Sequence, residues 1–428
     1  MLNRTVAPPI HDAVSFSFSL QPCNKVTSAN GIPLYWLNAG TQDVVQIEWI
    51  FKAGLWQEPQ TALAQAAAAL LKNGSKNYSA LQLNEALELY GASFHVSANN
   101  DYTVISLHTL TRHLPALLPV LKEIITEAAF PEEELAIYKQ NAQQRLNLNL
   151  RKCDFVANRH IDAYLFGRQH PYGKYTEATD ILALNREALR KFHSDYYRSA
   201  NCIMLVAGRI DESHIALIDD FFGKTAWGAT DATPAEPRYE SQPAAEHHYR
   251  VTNDENGVQG AVRIARDFPN RKHPDFSPMI VLNTIFGGYF GSRLMANIRE
   301  EKGFTYGISS QIYNYRNEGA LLIATEAGKE VCEQTVAEVY KEMDLLCNVP
   351  VDEEELLLVK NYLLGSILGD LDGPFSIMQR WKNIILNELP EDQFEQNIAI
   401  YKSITPARLQ ELAQKYLRKE DYYELVVV

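Results

Sequence analysis

The sequence predicts an α+β fold built twice: two homologous domains, each a mostly antiparallel sheet with helices packed on one face. Three observations carry that expectation. A block in the first half recurs in the second at a nearly fixed distance, a proline-rich stretch without apolar period lies between the halves, and within each half the apolar period switches between two and 3.6 residues.

The repeat is the strongest of the three. Leu184, Leu189, Tyr196 and Arg198, in a run that leads through Phe192 to the apolar stretch Cys202 to Ala207, are matched by Ile404, Leu409, Tyr416 and Arg418, in a run that leads through Leu412 to Tyr422 to Val428. Each pair is 220 residues apart. Earlier in each half, Glu132-Glu133-Glu134-Leu135 is echoed by Glu353-Glu354-Glu355-Leu356 at 221 residues, each after a proline and each opening a long helical pattern. A solenoid would repeat every 20 to 50 residues or so, so this period marks a duplicated domain. Thr225 to Glu246, with Gly228, Pro234, Pro237 and Pro243, reads as the linker. The expected boundaries are a first domain at 1–224, a linker at 225–246 and a second domain at 247–428.

Along the first domain, Val44 to Phe51 is a β-branched, apolar strand, and Thr61 to Lys72 is a helix stopped by Asn73-Gly74. Leu81 to Tyr90 has a helical period. Ser93 to His108 reads as two strands about the turn Asn99-Asn100-Asp101, and Leu114 to Ala129 as a helix with proline in its first turn.

Composition narrows the function. Of 428 residues, 46% are hydrophobic and 22% charged, enough apolar material for two real cores. A net charge of −13 repels a phosphate backbone, and no basic cluster interleaved with aromatics overrides it, so nucleic acid is not an expected partner. No run approaches the roughly 18 apolar residues of a membrane span, so no membrane is expected either. Met1 to Asp12 carries Arg4, Pro8-Pro9 and His11 and does not resemble a secretory leader. Cys23, Cys153, Cys202, Cys332 and Cys347 are odd in number and widely spaced, as free thiols of a reducing compartment are. That predicts the cytoplasm, or the periplasm for a chain whose leader had been removed.

In the second half, Phe286-Gly287-Gly288-Tyr289-Phe290-Gly291 precedes Ser292 to Gly307. The pattern predicts a flexible glycine loop, a helix capped by Ser292 and stopped at Gly303, and a strand from about Thr305. No Lys-Ser/Thr follows the glycines where a phosphate loop needs it. Taken singly, an arginine at a helix end is ordinarily a solvated charge and a tyrosine on a strand ordinarily packing.

Ser292-Arg293-Leu294, Ile298, Arg299-Glu300, Lys302-Gly303-Phe304 and Tyr306 together resemble the C-terminal signature of the pitrilysin/insulinase family of zinc peptidases, which includes the mitochondrial processing peptidase. The resemblance extends through His170-Pro171-Tyr172-Gly173, Tyr196-Tyr197, Asn201 and Val206-Ala207-Gly208 in the first half. In that family an arginine and a tyrosine seven positions later line the substrate cleft, which points here to Arg299 and Tyr306. A guanidinium and a phenol can donate hydrogen bonds to a peptide carbonyl as it gains negative charge.

The family's metal motif, H-x-x-E-H on the first long helix, places two histidines on one helical face as zinc ligands with the glutamate beside them. Aligned on Asn73-Gly74-Ser75, it falls on Gln65 to Ala69: Gln65 and Ala69 stand for the histidines and Ala68 for the glutamate. Alanine offers no lone pair, and a neutral amide is a poor zinc ligand. Gln143 to Leu148, where a third ligand would fall, contains no carboxylate. The remaining histidines show no ligand spacing, and no G-x-S-x-G or cysteine-nucleophile context replaces the metal.

The resemblance therefore implies a non-catalytic subunit that holds no cofactor itself. It would form half of a clam-like chamber with a homologous H-x-x-E-H partner that supplies zinc, and would hold peptide or unfolded-protein substrates through Arg299 and Tyr306. The alternatives are a scaffold or peptide-binding protein of the same fold, like the family's silent core subunits of a respiratory complex, and an active homodimer.

Overall fold

The computed structural model of the chain describes residues 16, 19–229 and 234–428. Met1 to Asp12 and residues 230–233 of the linker lie outside the described residues. The first half runs β1 (Asn24–Thr27), β2 (Pro33–Asn38), β3 (Val44–Phe51), α1 (Leu63–Leu70), α2 (Ala80–Glu88), β4 (Ser93–Ala98), β5 (Thr103–Leu110), α3 (Leu114–Thr126), α4 (Glu132–Asn149), α5 (Cys153–Phe166), α6 (Ala178–Ala183), α7 (Arg186–Tyr196), β6 (Cys202–Gly208) and α8 (Glu212–Phe222). The second runs β7 (His248–Val251), β8 (Gln259–Asp267), α9 (Phe276–Asn283), β9 (Thr305–Asn314), β10 (Gly319–Gly328), α10 (Cys332–Asn348), α11 (Glu353–Gly369), α12 (Pro374–Leu386), α13 (Gln393–Ser403), α14 (Pro406–Tyr416) and β11 (Tyr423–Val427). The elements expected from the apolar period in the first domain all form, with ends shifted by a few residues.

The duplication is visible as topology. The strands form a six-stranded sheet, β1-β2-β6-β3-β5-β4, and a five-stranded sheet, β7-β11-β8-β10-β9. With β1 set aside, the two orders correspond strand for strand. β2 pairs parallel with β6, and β7 with β11, whereas β1 with β2, β6 with β3, β3 with β5, β5 with β4, β11 with β8 and β10 with β9 pair antiparallel. The repeated sequence block explains the match at residue level. Asn185 caps α7 by accepting from the Ala188 N–H, and Thr405, 220 residues on, caps α14 by accepting from the Arg408 N–H.

Helices cover one face of the first sheet because β3 alternates. Val45, Ile47, Trp49 and Phe51 enter a core shared with Leu63 and Leu70 of α1, Leu83 of α2, Leu118 of α3, Phe192 of α7 and Phe222 of α8. The Trp49 and Phe222 rings lie 5.0 Å apart, and Phe51 stacks on Tyr197 at 5.1 Å. On the other face of β3, buried Glu48 pairs with Lys382 at 2.9 Å.

By compactness the chain forms two units. One contains Pro22–Ala265, Gly373–Lys382 and Tyr423–Val428; the other contains Arg266–Asp372 and Asn383–Tyr422, with the described residues up to Gln21. Contacts inside the first unit explain why β7, β11 and most of β8 belong to it. Tyr164 of α5 stacks on Tyr249 of β7 at 3.7 Å, and Arg263 of β8 donates from Nε to Asn158 Oδ1 at 2.7 Å. The described part of the linker is docked on this unit. Trp56 Nε1 donates to the Pro237 carbonyl, and the Gln242 and Ala244 N–H groups donate to Phe166 and Tyr164. Among the described residues no helix is long and apolar enough to cross a membrane.

Burial makes one histidine a pH-sensitive support of this core. His193 of α7 is fully enclosed against Phe130 and Tyr197, with Nε2 2.8 Å from the Ile125 carbonyl, and desolvation lowers its pKa to about 4. The unfolded chain binds a proton on this side chain near pH 6.5 and the folded chain does not, so stability present above that pH is lost as pH falls toward 4. Urea denaturation should show a loss of up to about 3 kcal/mol across that window. A His193→Phe chain should lack this pH-dependent part, and an unchanged profile would rule the assignment out.

Candidate functional site

The helix that would bear the metal motif is built for packing. In α1, Leu63, Ala64, Ala66, Ala67, Ala68 and Leu70 are buried, while Gln65 and Ala69, one turn apart, share the exposed face. That face offers a single amide, and the buried Ala68 methyl offers nothing, so these positions do not fit a zinc ion. α4 packs on α1 and carries Gln143 to Leu148 without a carboxylate. Among the described residues no three His, Cys, Asp or Glu side chains are grouped so as to hold a metal ion.

The nearby carboxylate is spent on structure. Ala62, at φ 72°, starts α1 from the left-handed region, a strained conformation for alanine. Glu58 steadies this start by accepting the Ala64 N–H at 2.8 Å, and it pairs with Lys174 Nζ at 2.8 Å. Burial pushes the Glu58 pKa upward, and Lys174 opposes that shift. Lys174 also donates to the Leu55 carbonyl at 3.0 Å. It follows directly on His170-Pro171-Tyr172-Gly173, so this motif ends in the group that neutralises Glu58. Trp56 contacts both His170 and Tyr172, and the Tyr172 hydroxyl donates to Asp101 at 2.6 Å.

In the other unit, Arg299 and Tyr306 come together, by a local geometry that the sequence does not announce. After α9 the helix widens into a π-turn at Thr284–Gly288, and a second π-turn spans Met295–Glu301. The expected flexible loop is thus partly helical, and Gly287 is required there. A Cβ on it would lie 2.7 Å from Ser310 Cβ and 2.8 Å from Ser310 N on β9. The expected Ser292 cap is absent as well. Its hydroxyl is buried without a hydrogen-bond partner, and only its carbonyl takes part, accepting from Ala296. The stop at Gly303, φ +66°, and the strand from Thr305 form as expected.

The π-turn carrying Arg299 is fixed from below. Asn297 Nδ2 donates to Glu342 at 2.7 Å and Glu338 at 3.0 Å, and Arg293 forks onto Glu355 at 2.9 and 2.6 Å. Asn297 and Arg293 support the site, but a reading centred on the cleft pair gave neither a part. Their signal was that Arg293 and Asn297 are four residues apart, one helical turn, within the motif that carries Arg299.

β9 pairs with β10 from Thr305 opposite Ala327 and from Ile308 opposite Thr325, so Tyr306 and Gly307 together face Glu326 alone. This is a β-bulge, which re-aims the side chain it contains. The Tyr306 side chain is 95% exposed, and its carbonyl accepts from Arg299 Nε at 3.1 Å. The guanidinium carbon lies 4.6 Å from the centre of the Phe290 ring, and Nη1 is 3.6 Å from Glu300. The result is a guanidinium and a phenol, both accessible, on the outermost strand of a sheet and the turn beside it.

Comparison with known proteins fits both halves of this description. Residues 37–179 match the model of the insulinase family, peptidase family M16, and residues 183–363 match that of the peptidase M16 inactive domain. The chain belongs to this pitrilysin/insulinase family. It is 23% identical over 360 residues to the uncharacterized zinc protease YmxG of Bacillus subtilis, covering 83% of this chain and 86% of the relative. An uncharacterized zinc protease of Rickettsia bellii is also 23% identical, over 76% of this chain and 78% of that one. Among solved structures, a peptidase M16 inactive domain from Pseudomonas fluorescens superposes with a TM-score of 0.84 at 21% identity, over 95% of this chain and 98% of that one. A protease from Helicobacter pylori gives 0.86 at 18% identity, over 95% and 99%. These structures share the fold.

Lys174→Met should leave Glu58 buried without its cation and cost roughly 3–5 kcal/mol in urea denaturation, the scale of a broken buried pair. Arg299→Ala and Tyr306→Phe, at accessible side chains, should each change stability by less than about 0.5 kcal/mol. A Lys174→Met chain as stable as the parent would remove the structural role given to Glu58.

Proposed function

We propose that this chain is the non-catalytic, substrate-binding subunit of a heterodimeric zinc peptidase. A homologous partner bearing an intact H-x-x-E-H motif supplies the metal and the water-activating base. This chain supplies Arg299 and Tyr306 as donors to the substrate carbonyl. The observation that carries the reading is an asymmetry: α1 offers no set of zinc ligands beyond the one amide of Gln65, while the bulge at Tyr306 and Gly307 leaves a guanidinium and a phenol ready to hydrogen-bond. Neither side chain supports the core, so packing alone does not account for their arrangement.

The substrates are extended peptides or unfolded proteins. Among the described residues no strand lies beyond β9 in its sheet order, and an extended backbone can add to such an edge while Arg299 and Tyr306 engage its carbonyls. Among the described residues no cysteine is joined in a disulfide, in keeping with a cytoplasmic setting.

Mixing the purified chain with its H-x-x-E-H homologue should give casein-cleaving activity that neither has alone and that a zinc chelator abolishes. Within the assembled pair, Arg299→Ala should lower kcat/KM about ten- to hundredfold, the range for losing a charged hydrogen bond, with assembly by sedimentation unchanged. A partner fully active by itself would overturn the subunit reading. An Arg299→Ala pair as active as the parent would favour a scaffold of the same fold, and zinc bound stoichiometrically to this chain with activity of its own would favour an active homodimer.

A further inference from the structure

The aromatic next to Arg299 does not enter the proposed chemistry directly. Phe290 is a large apolar side chain, 64% exposed, in a short connection between two π-turns. Solvent exposure on this scale contributes little to a core. Yet the backbone that presents it is held in place. Its neighbour Tyr289 packs on Tyr362 of α11 with ring centres 4.6 Å apart, and the Ser292 N–H donates to the Tyr289 carbonyl at 3.1 Å to close the turn. Gly291 lies so close beneath Tyr289 that a Cβ there would be 2.8 Å from its ring. Tyr289 anchors the connection to α11, and Phe290 is left over Arg299.

We propose that Phe290 is the positioning residue of Arg299, its ring face holding the guanidinium in the orientation needed to meet a substrate carbonyl; this rests on the role proposed for Arg299 above. The geometry divides the work among three contacts. The Tyr306 carbonyl takes the Nε–H at 3.1 Å and sets the direction in the guanidinium plane. The Phe290 ring, 4.6 Å from the guanidinium carbon, covers one face and fixes the tilt of that plane. Glu300, at 3.6 Å and exposed, is a loose companion to Nη1. Of the five N–H donors only the Nε one is committed to a close acceptor, so the Nη edge remains to donate outward. Without the ring, a side chain 34% exposed would sample many rotamers, and each productive encounter would first have to order it.

Two measurements on the full chain separate this proposal from the one beneath it. The first needs no partner: the rate at which phenylglyoxal modifies Arg299, followed by mass spectrometry, reports how firmly the guanidinium is held. Phe290→Leu keeps apolar bulk but removes the aromatic face and should raise that rate severalfold, whereas Phe290→Trp should restore the parental rate. The second is casein cleavage by the assembled heterodimer. Phe290→Leu should lower kcat/KM about three- to tenfold, the range of a partly exposed cation–π contact, Phe290→Trp should rescue it, and in an Arg299→Ala background Phe290→Leu should have no further effect. The positioning role is overturned if Phe290→Leu leaves the modification rate unchanged, or if its loss of turnover is as large without Arg299 as with it. If the modification rate responds but Arg299→Ala does not affect turnover, the geometry stands and the catalytic part of both proposals falls.

Discussion

The two-for-one pairing at the start of β9 is the constraint on which the candidate site depends. Because Tyr306 and Gly307 share a single opposing residue, the strand bends before it settles into regular register with β10. The bend leaves the Tyr306 carbonyl available to Arg299 and its ring free of the sheet. Thr325 Oγ1 donates to the Gly307 carbonyl at 2.8 Å, and Thr305 Oγ1 donates to the Glu326 carbonyl at 2.6 Å, so the irregular backbone groups are satisfied and the bulge is held. A regular ladder there would place successive side chains on alternate faces and bring other groups to Arg299.

The π-turns complement this bulge. In an α-helix each turn closes on the fourth residue, and inserting one residue rotates everything that follows by about 100°. Lys302 closing on the Asn297 carbonyl is such an insertion. It lets Asn297 remain directed inward at Glu342 while Arg299, two positions on, reaches the surface. Buried polar contacts at Asn297, Asn283 and Ser310 then hold turn and strand together; Asn283 Nδ2 donates to the Ser310 carbonyl at 2.9 Å, and Ser310 Oγ donates back to Asn283 Oδ1 at 2.6 Å. The reciprocal Asn283–Ser310 pair specifies one geometry where an apolar contact would tolerate several.

What could be read from the sequence followed this division. Strand β3, the first helices and the duplication were legible because they rest on apolar periodicity and on caps, which leave residue-level marks such as Asn185 and Thr405 at matching positions. The Arg299 and Tyr306 pair was legible as a spacing only. The π-turns, the bulge and the missing Ser292 cap were not legible, because a hydrogen bond displaced by one residue does not change which side chains are apolar. The docking of the linker was hidden for a related reason. Its proline-rich composition lacks a period, yet its backbone groups find partners on α5 and Trp56, which no local pattern records.

The same physics explains how α1 can lack a metal site without loss of fold. Gln65 and Ala69 lie on its exposed face, so neither position is called on by the core, and Ala68 fits a buried position at the cost of a single methyl group. The start of the helix is secured elsewhere, by Glu58 and Lys174, whose pairing requires no metal. Stability and metal chemistry are therefore independent in this domain. In the other unit stability and the placing of Arg299 are not fully separable, because the bulge and π-turns that orient Arg299 are also the means by which β9 joins its sheet. Residues 65 and 69 of α1 can change without disturbing the core, whereas re-aiming Arg299 would require repacking Asn283, Asn297 and Ser310.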